Sequence, residues 1–150
     1  MSASRHPRRR VAALDLGKAR VGLALSDELG LLAHPRPPLD GSSLKQLLAE
    51  LTKLAEDESI GRFLVGLPRD MSGAAGVAAQ RAARFCRKLA DTTGVEVELV
   101  DERLTTVEAS RRLKEQGKRT AEVKASVDSA AAAIVLQEWL DRRGLRRPVR

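Results

Sequence analysis

The sequence predicts an α/β domain, a mixed five-stranded sheet with helices packed on both faces. Three observations carry that expectation. The first forty residues hold three short apolar runs separated by glycine-containing turns, the pattern of a three-stranded antiparallel meander. Two further runs, at 60–66 and 95–100, alternate with segments whose Leu and Ala recur every three to four residues, as in parallel strands joined by helices. The chain's 150 residues, 43% apolar and 31% charged, suit one ordinary globular core.

Val11 to Gly17 reads as the first strand, small and apolar and closed by glycine. Lys18-Ala19 is a tight connection, and Arg20 to Ser26 a second strand in which Val21, Leu23 and Leu25 alternate. Glu28-Leu29-Gly30 turns the chain into a third short strand, Leu31 to His34. Pro35, Pro37 and Pro38 are expected to end it, since proline cannot donate into a ladder. Ser42 or Ser43 can cap the next helix, with Leu44, Leu47, Leu48, Leu51, Leu54 and Ala55 on its inner stripe. The strand Ile60 to Gly66 leads into a loop, Leu67 to Gly73. A helix from about Ala74 to Asp91 turns Ala78, Ala82, Phe85 and Leu89 inward and Gln80, Arg84, Arg87 and Asp91 to water. Gly94 resets the chain before the strand Val95 to Val100. Thr105 and Glu108 form a capping box for a helix to about Gln116. A basic loop over Gly117 to Ala125 precedes the last helix, Val127 to Asp141, apolar enough to be largely buried, with Gly144 at its end.

Composition excludes several functions. Cys86 is the single cysteine, so neither an internal disulfide framework nor a Cys-rich zinc site is available. No run approaches the roughly 18 apolar residues of a membrane helix, and Asp15 stops the stretch after Arg8-Arg9-Arg10 too early for a secretory signal. The cytoplasm is the expected compartment, with no membrane partner. The net charge of +7 is concentrated at the ends: residues 1–10 carry four arginines and no acid, and residues 141–150 five arginines against Asp141. Residues 11–140 hold 18 basic against 19 acidic side chains. The expected organisation is therefore a basic, flexible arm (1–10), a domain over 11–141 and a basic tail (142–150). Such ends serve solubility, or add sequence-blind attraction to phosphate that salt weakens. With 2% aromatic residues, base stacking cannot be the main mode of recognition.

Three acids stand in unusual places. Asp15 interrupts an apolar strand, where a buried carboxylate needs a partner; pairing with Arg20 or a turn role beside Gly17 is the plain alternative. Glu102 follows a strand's carboxyl end, where open α/β sheets gather ligands, though an acid near a helix start also helps the helix dipole. Asp128 aligns at helical spacing with Ala131, Ala132, Val135 and Trp139, the apolar side of the last helix, although a first-turn aspartate is also a common cap. Taken together, two or three carboxylates around a pair of Mg²⁺ or Mn²⁺ ions would form a site for phosphodiester cleavage. One ion would activate the attacking water and the other stabilise the leaving oxygen. Asp15, Glu102 and Asp128 lie 87 and 26 residues apart, so their convergence depends on the fold.

Four blocks occur in order: Asp15 to Asp27 (DLGKARVGLALSD), Val65 to Gly73 (VGLPRDMSG), Val100 to Thr106 (VDERLTT) and Val127 to Ala131 (VDSAA). Together they resemble the YqgF family, bacterial proteins described as Holliday junction resolvases or pre-16S ribosomal RNA nucleases, over about residues 11 to 141. The resemblance implies a ribonuclease-H-like fold and an acidic metal site at Asp15, Glu102 and Asp128. Ala19 departs from the family, which often has a second basic residue there. Lys18, Arg20, Arg69, Arg111, Arg112, Lys118, Arg119 and Lys124 are the candidate contacts to nucleic acid. Cys86 is expected to be packing, Trp139 core, and His6 and His34 incidental.

The expected function is a metal-dependent nuclease acting on structured nucleic acid, either a ribosomal RNA precursor or branched DNA. A junction resolvase, cutting two strands symmetrically, would be a homodimer. A non-catalytic RNA-binding module of ribosome assembly is the alternative. An ATP-binding phosphotransferase, which shares the opening Asp-x-Gly hairpin, would need two such domains.

Overall fold

The computed structural model describes residues 10–17, 19–67, 75–101 and 121–146; the helix expected from Thr105 to Gln116 lies outside them. Five strands form one sheet: β1 (Arg10–Leu16), β2 (Arg20–Ser26), β3 (Ala33–Asp40), β4 (Ile60–Leu67) and β5 (Glu96–Asp101). Their order is β3-β2-β1-β4-β5. The β1–β2 and β2–β3 pairs are antiparallel, and the β1–β4 and β4–β5 pairs parallel. The expected meander with two added parallel strands is the observed sheet. Helices α1 (Leu44–Asp57), α2 (Ala75–Thr93) and α3 (Ala121–Arg146) complete the described residues.

Strand alternation divides the core in two. Ala12 and Leu14 join Val21, Leu23, Leu25 and Phe63 beneath α1 and α2, through Leu47, Leu51 and Leu89. Val11 and Ala13 join Ala24 and Leu64 beneath α3, through Ala132, Leu136 and Leu140. Burial on both faces is why β1 reads as an almost unbroken apolar run.

The structure departs from the sequence expectation in several places. The prolines do not end β3, which begins later, at Ala33, and runs through Pro35, Pro37 and Pro38 to Asp40. It is an edge strand, where the missing donors cost no ladder bond on the open side. Helix α3 starts at Ala121, so residues 121–125 are helix rather than loop. Ala121 to Ser126 contains no breaker, and Ala, Glu and Lys favour helix. The helix also passes Asp141 and Gly144 to Arg146, because basic residues near a helix carboxyl end offset the roughly 1 kcal/mol that glycine costs. Arg10, counted with the arm in the sequence, opens β1 opposite Ile60 and pairs with Glu58. Leu44, placed on the inner stripe of α1, is exposed in its first turn.

Two serines are the buried polar residues among those described, and each sits at a ladder irregularity. The register between β1 and β4 shifts at Arg10/Val11, and there Ser26 Oγ accepts from the Val11 amide at 2.9 Å. The register between β2 and β3 shifts at Val21/Leu23, and there Ser129 of α3 enters the ladder. In both places a hydroxyl serves a backbone group that the shifted strands would otherwise leave unpaired.

Candidate functional site

Asp15 lies one residue from the carboxyl end of β1, a central strand. It follows Val11 and Ala13 in the two-residue alternation, which puts it on the α3 face. Its Cα partner on β2 is Gly22 and on β4 is Gly66. Both are buried, and neither carries a side chain to crowd a half-buried carboxylate. The next step across the sheet is Val100 on β5, packed against the same core cluster. An acid with glycine on both neighbouring strands thus stands near the carboxyl ends of the parallel strands, where open α/β sheets gather ligands.

Backbone bonds close the hairpin after Asp15. Gly17 donates its amide to the Arg20 carbonyl at 3.0 Å, and a Cβ at Gly17 would stand 2.6 Å from that same oxygen. Gly41 reaches in from the end of β3, donating to the Ala19 carbonyl at 2.8 Å. Ala19 therefore uses its backbone to join the hairpin to β3. Arg20 is exposed at the same end, opposite Asp40. Asp40 accepts from both the amide and the hydroxyl of Ser42, which hold its carboxyl below the usual carboxylate range.

Helix α3 crosses β3, β2 and β1 on the Asp15 face. Ala131, Ala132 and Val135 are buried, as the apolar stripe required, and Trp139 is partly buried against the same cluster. Asp128 lies within α3, one residue before Ser129, while its side chain is outside the described part. Glu102 follows Asp101, the last residue of β5, and is itself outside. So are Lys18, Arg69, Arg111, Arg112, Lys118 and Arg119, and the side chain of Lys124. Among the described residues no cluster of three His, Cys, Asp or Glu could hold a metal ion.

The other candidates fall away from this end. Cys86 is a free, half-buried cysteine packed beside the α1–α2 core, and burial pushes its thiol up, away from the nucleophilic thiolate. His34 is exposed on β3. The Trp139 ring lies at the opposite end of the sheet, with the guanidinium carbons of Arg62 and Arg143 at 5.7 and 5.2 Å from its centroid. Gly22 and Ser129 were not singled out by the sequence. A glycine inside a strand can mark a close approach, so Gly22 carried some signal; Ser129 carried none beyond its place in a matching block.

The sequence pattern of the RuvX family, described as Holliday junction resolvase, matches residues 9–142. The chain belongs to this family. A "Putative pre-16S rRNA nuclease" of Anaeromyxobacter sp. (strain Fw109-5) is 44% identical over 134 residues, covering 89% of this chain and 98% of that protein. One of the same description from Symbiobacterium thermophilum is 41% identical over 139 residues, covering 93% and 96%. Among solved structures, T. thermophilus RuvC in complex with Holliday junction substrate is similar with a TM-score of 0.57 and 16% identity, covering 93% of this chain and 96% of that one. That likeness establishes the ribonuclease-H-like fold. As a RuvX family member the chain is a phosphodiester-hydrolysing enzyme, a nuclease.

Proposed function

We propose that this RuvX protein is a divalent-metal-dependent nuclease of the cytoplasm, with Asp15, Glu102 and Asp128 as its metal-holding and catalytic residues. The observation that carries the reading is the Asp15 carboxylate on the α3 face, with Gly22 and Gly66 as its neighbours across the sheet. Carboxylate oxygens are the donors that hard divalent ions prefer, and the glycines paired with Asp15 add no side chain of their own beside it. Mg²⁺ or Mn²⁺, two ions with substrate, would supply an activated water and neutralise charge on the departing oxygen. The chain's own part is to hold Asp15 on a rigid strand, closed by the Gly17 turn, and to bring Asp128 on a helix that crosses that strand. Lys18, Arg20, Arg69, Arg111, Arg112, Lys118, Arg119 and Lys124 would take the substrate's phosphates. The folded domain, from Arg10 through the end of α3 at Arg146, carries this chemistry, and the arginines outside it add charge.

The relatives' descriptions favour a precursor of 16S ribosomal RNA as substrate. The family description favours a four-way DNA junction as the second reading, and that would require a homodimer. Asp15→Asn and Asp128→Asn are expected to lose cleavage of both substrates by more than the roughly 10–100-fold that loss of a mere supporting residue costs. Circular dichroism should stay unchanged. Wild-type protein incubated with a 5′-extended 16S RNA and a four-way junction, across Mg²⁺ and Mn²⁺ concentrations, tests substrate and metal together. Cleavage undiminished in the Asp15→Asn protein would sink the metal site. Binding of RNA without cleavage at any metal concentration would favour the assembly-module alternative.

A further inference from the structure

Ser129 ties helix α3 to the sheet where the β2–β3 ladder is broken. Val21 pairs with Leu39, but Leu23 pairs with Arg36, so Pro37 and Pro38 together face Gly22. Neither proline has an amide to donate. The Ser129 hydroxyl stands in the gap: it accepts from the Leu23 amide at 3.4 Å and donates to the Arg36 carbonyl. Ser129 is 2% exposed, so the bond from the Leu23 amide is made away from water, and losing the hydroxyl would leave a buried amide and a part-buried carbonyl short of a partner.

The place of this bond matters more than its strength. Leu23 is the residue after Gly22, which is the partner of Asp15. Asp128 is the residue before Ser129. Ser129 therefore fixes the α3 backbone at Asp128 to the level of the sheet that holds Asp15. The neighbouring contacts are poorly suited to this, because the run Ala130 to Ala133 offers small, similar side chains that would allow the helix to slide along its axis. A second polar anchor lies eight residues on. Gln137 accepts from the Ala33 amide and donates to the Leu31 carbonyl, both at 2.9 Å, but at the opposite end of β2 from Asp15.

We infer that Ser129 is a positioning residue for the metal site, setting the distance between Asp128 and Asp15; the inference rests on those two carboxylates holding the ion. The test compares Ser129→Ala, Ser129→Thr and Gln137→Ala with wild type and with Asp128→Asn as reference. Three quantities are read: Mn²⁺ affinity by calorimetry without nucleic acid, the split of cleavage into kcat and KM, and Tm. Ser129→Ala should weaken Mn²⁺ binding about tenfold, as loss of an orienting partner does. It should lower kcat and leave KM for the nucleic acid within about twofold, with Thr restoring most of both. Gln137→Ala should lower Tm and leave Mn²⁺ affinity unchanged. If Ser129→Ala does not fold, the near-isosteric Ser129→Cys, a weaker hydrogen-bonding group, should show the same shifts in smaller measure. Ser129 variants that lower Tm with wild-type Mn²⁺ affinity and kcat would overturn the inference while leaving the metal site standing. Asp128→Asn protein with wild-type Mn²⁺ affinity, or wild-type cleavage that survives removal of all divalent ions, would overturn the metal site itself.

Discussion

At Gly17 the backbone leaves no room for a side chain. Its amide bonds to the Arg20 carbonyl, and the oxygen that accepts this bond is the atom a Cβ would strike, 2.6 Å away. Since the obstacle is backbone, it cannot rotate aside as a flexible side chain could. Gly17→Ala should therefore cost about 1–3 kcal/mol, the usual penalty for overpacking, measured as a shift of the urea midpoint at unchanged slope. Because the turn follows Asp15 by two residues, the same change should reduce cleavage beyond the loss of folded protein. Asp27 shows the milder kind of local control. Its carboxylate accepts from the Leu31 amide at 2.8 Å, and that bond, first among several from the turn's backbone, holds its pKa low. The turn so ordered presents Leu29, Leu31 and Leu32 to solvent.

At the level of elements, the site is a product of register. Gly22 and Gly66 matter because β2 and β4 are both aligned on β1 so that a glycine meets Asp15 from each side. A Cβ on a neighbouring strand would stand about 4.5–5.5 Å from that of Asp15, inside the space an ion or phosphate would use. Gly22→Ala and Gly66→Ala are thus expected to lower kcat about tenfold or more, approaching the loss of a supporting residue, with a smaller effect on Tm. Wild-type kcat in both would mean that substrate does not use the opening. Asp15 stands out in the sequence as a candidate because a carboxylate inside an apolar run is out of place. Gly66 as its neighbour does not, because a pairing between residues 51 positions apart depends on which strands become adjacent. The prolines of β3 misled for a related reason: a residue's effect on a strand depends on whether the strand lies at an edge. Helix α3 was underestimated at both ends because a basic stretch and a glycine read as loop, whereas helix propensity and the dipole favour continuation.

Across the whole molecule, charge and chemistry are separated along the chain. Three arginines of the described body stand in ion pairs: Arg10 and Arg36 with Glu58, and Arg62 with Glu96 and Glu98. Those cations are already neutralised in part, whereas residues 1–9 and 147–150 contain arginines and no acid. Arg5, Arg8 and Arg9 precede β1, and Arg147 and Arg150 follow α3. Each arginine that engages a phosphate releases counterions and adds about 0.9 to the slope of log affinity against log salt for duplex, or about 0.7 for single strands. Removing residues 1–9 and 147–150 should therefore weaken nucleic-acid binding most at low salt and flatten that slope by up to roughly 3.5–4.5 in total. If the ends contribute only sequence-blind attraction to phosphate, kcat at saturating substrate should be unchanged, and the loss should fall on KM. Binding titrations at four or five salt concentrations, for full-length and trimmed protein, decide it: parallel lines would show that the arginine-rich ends leave phosphate alone.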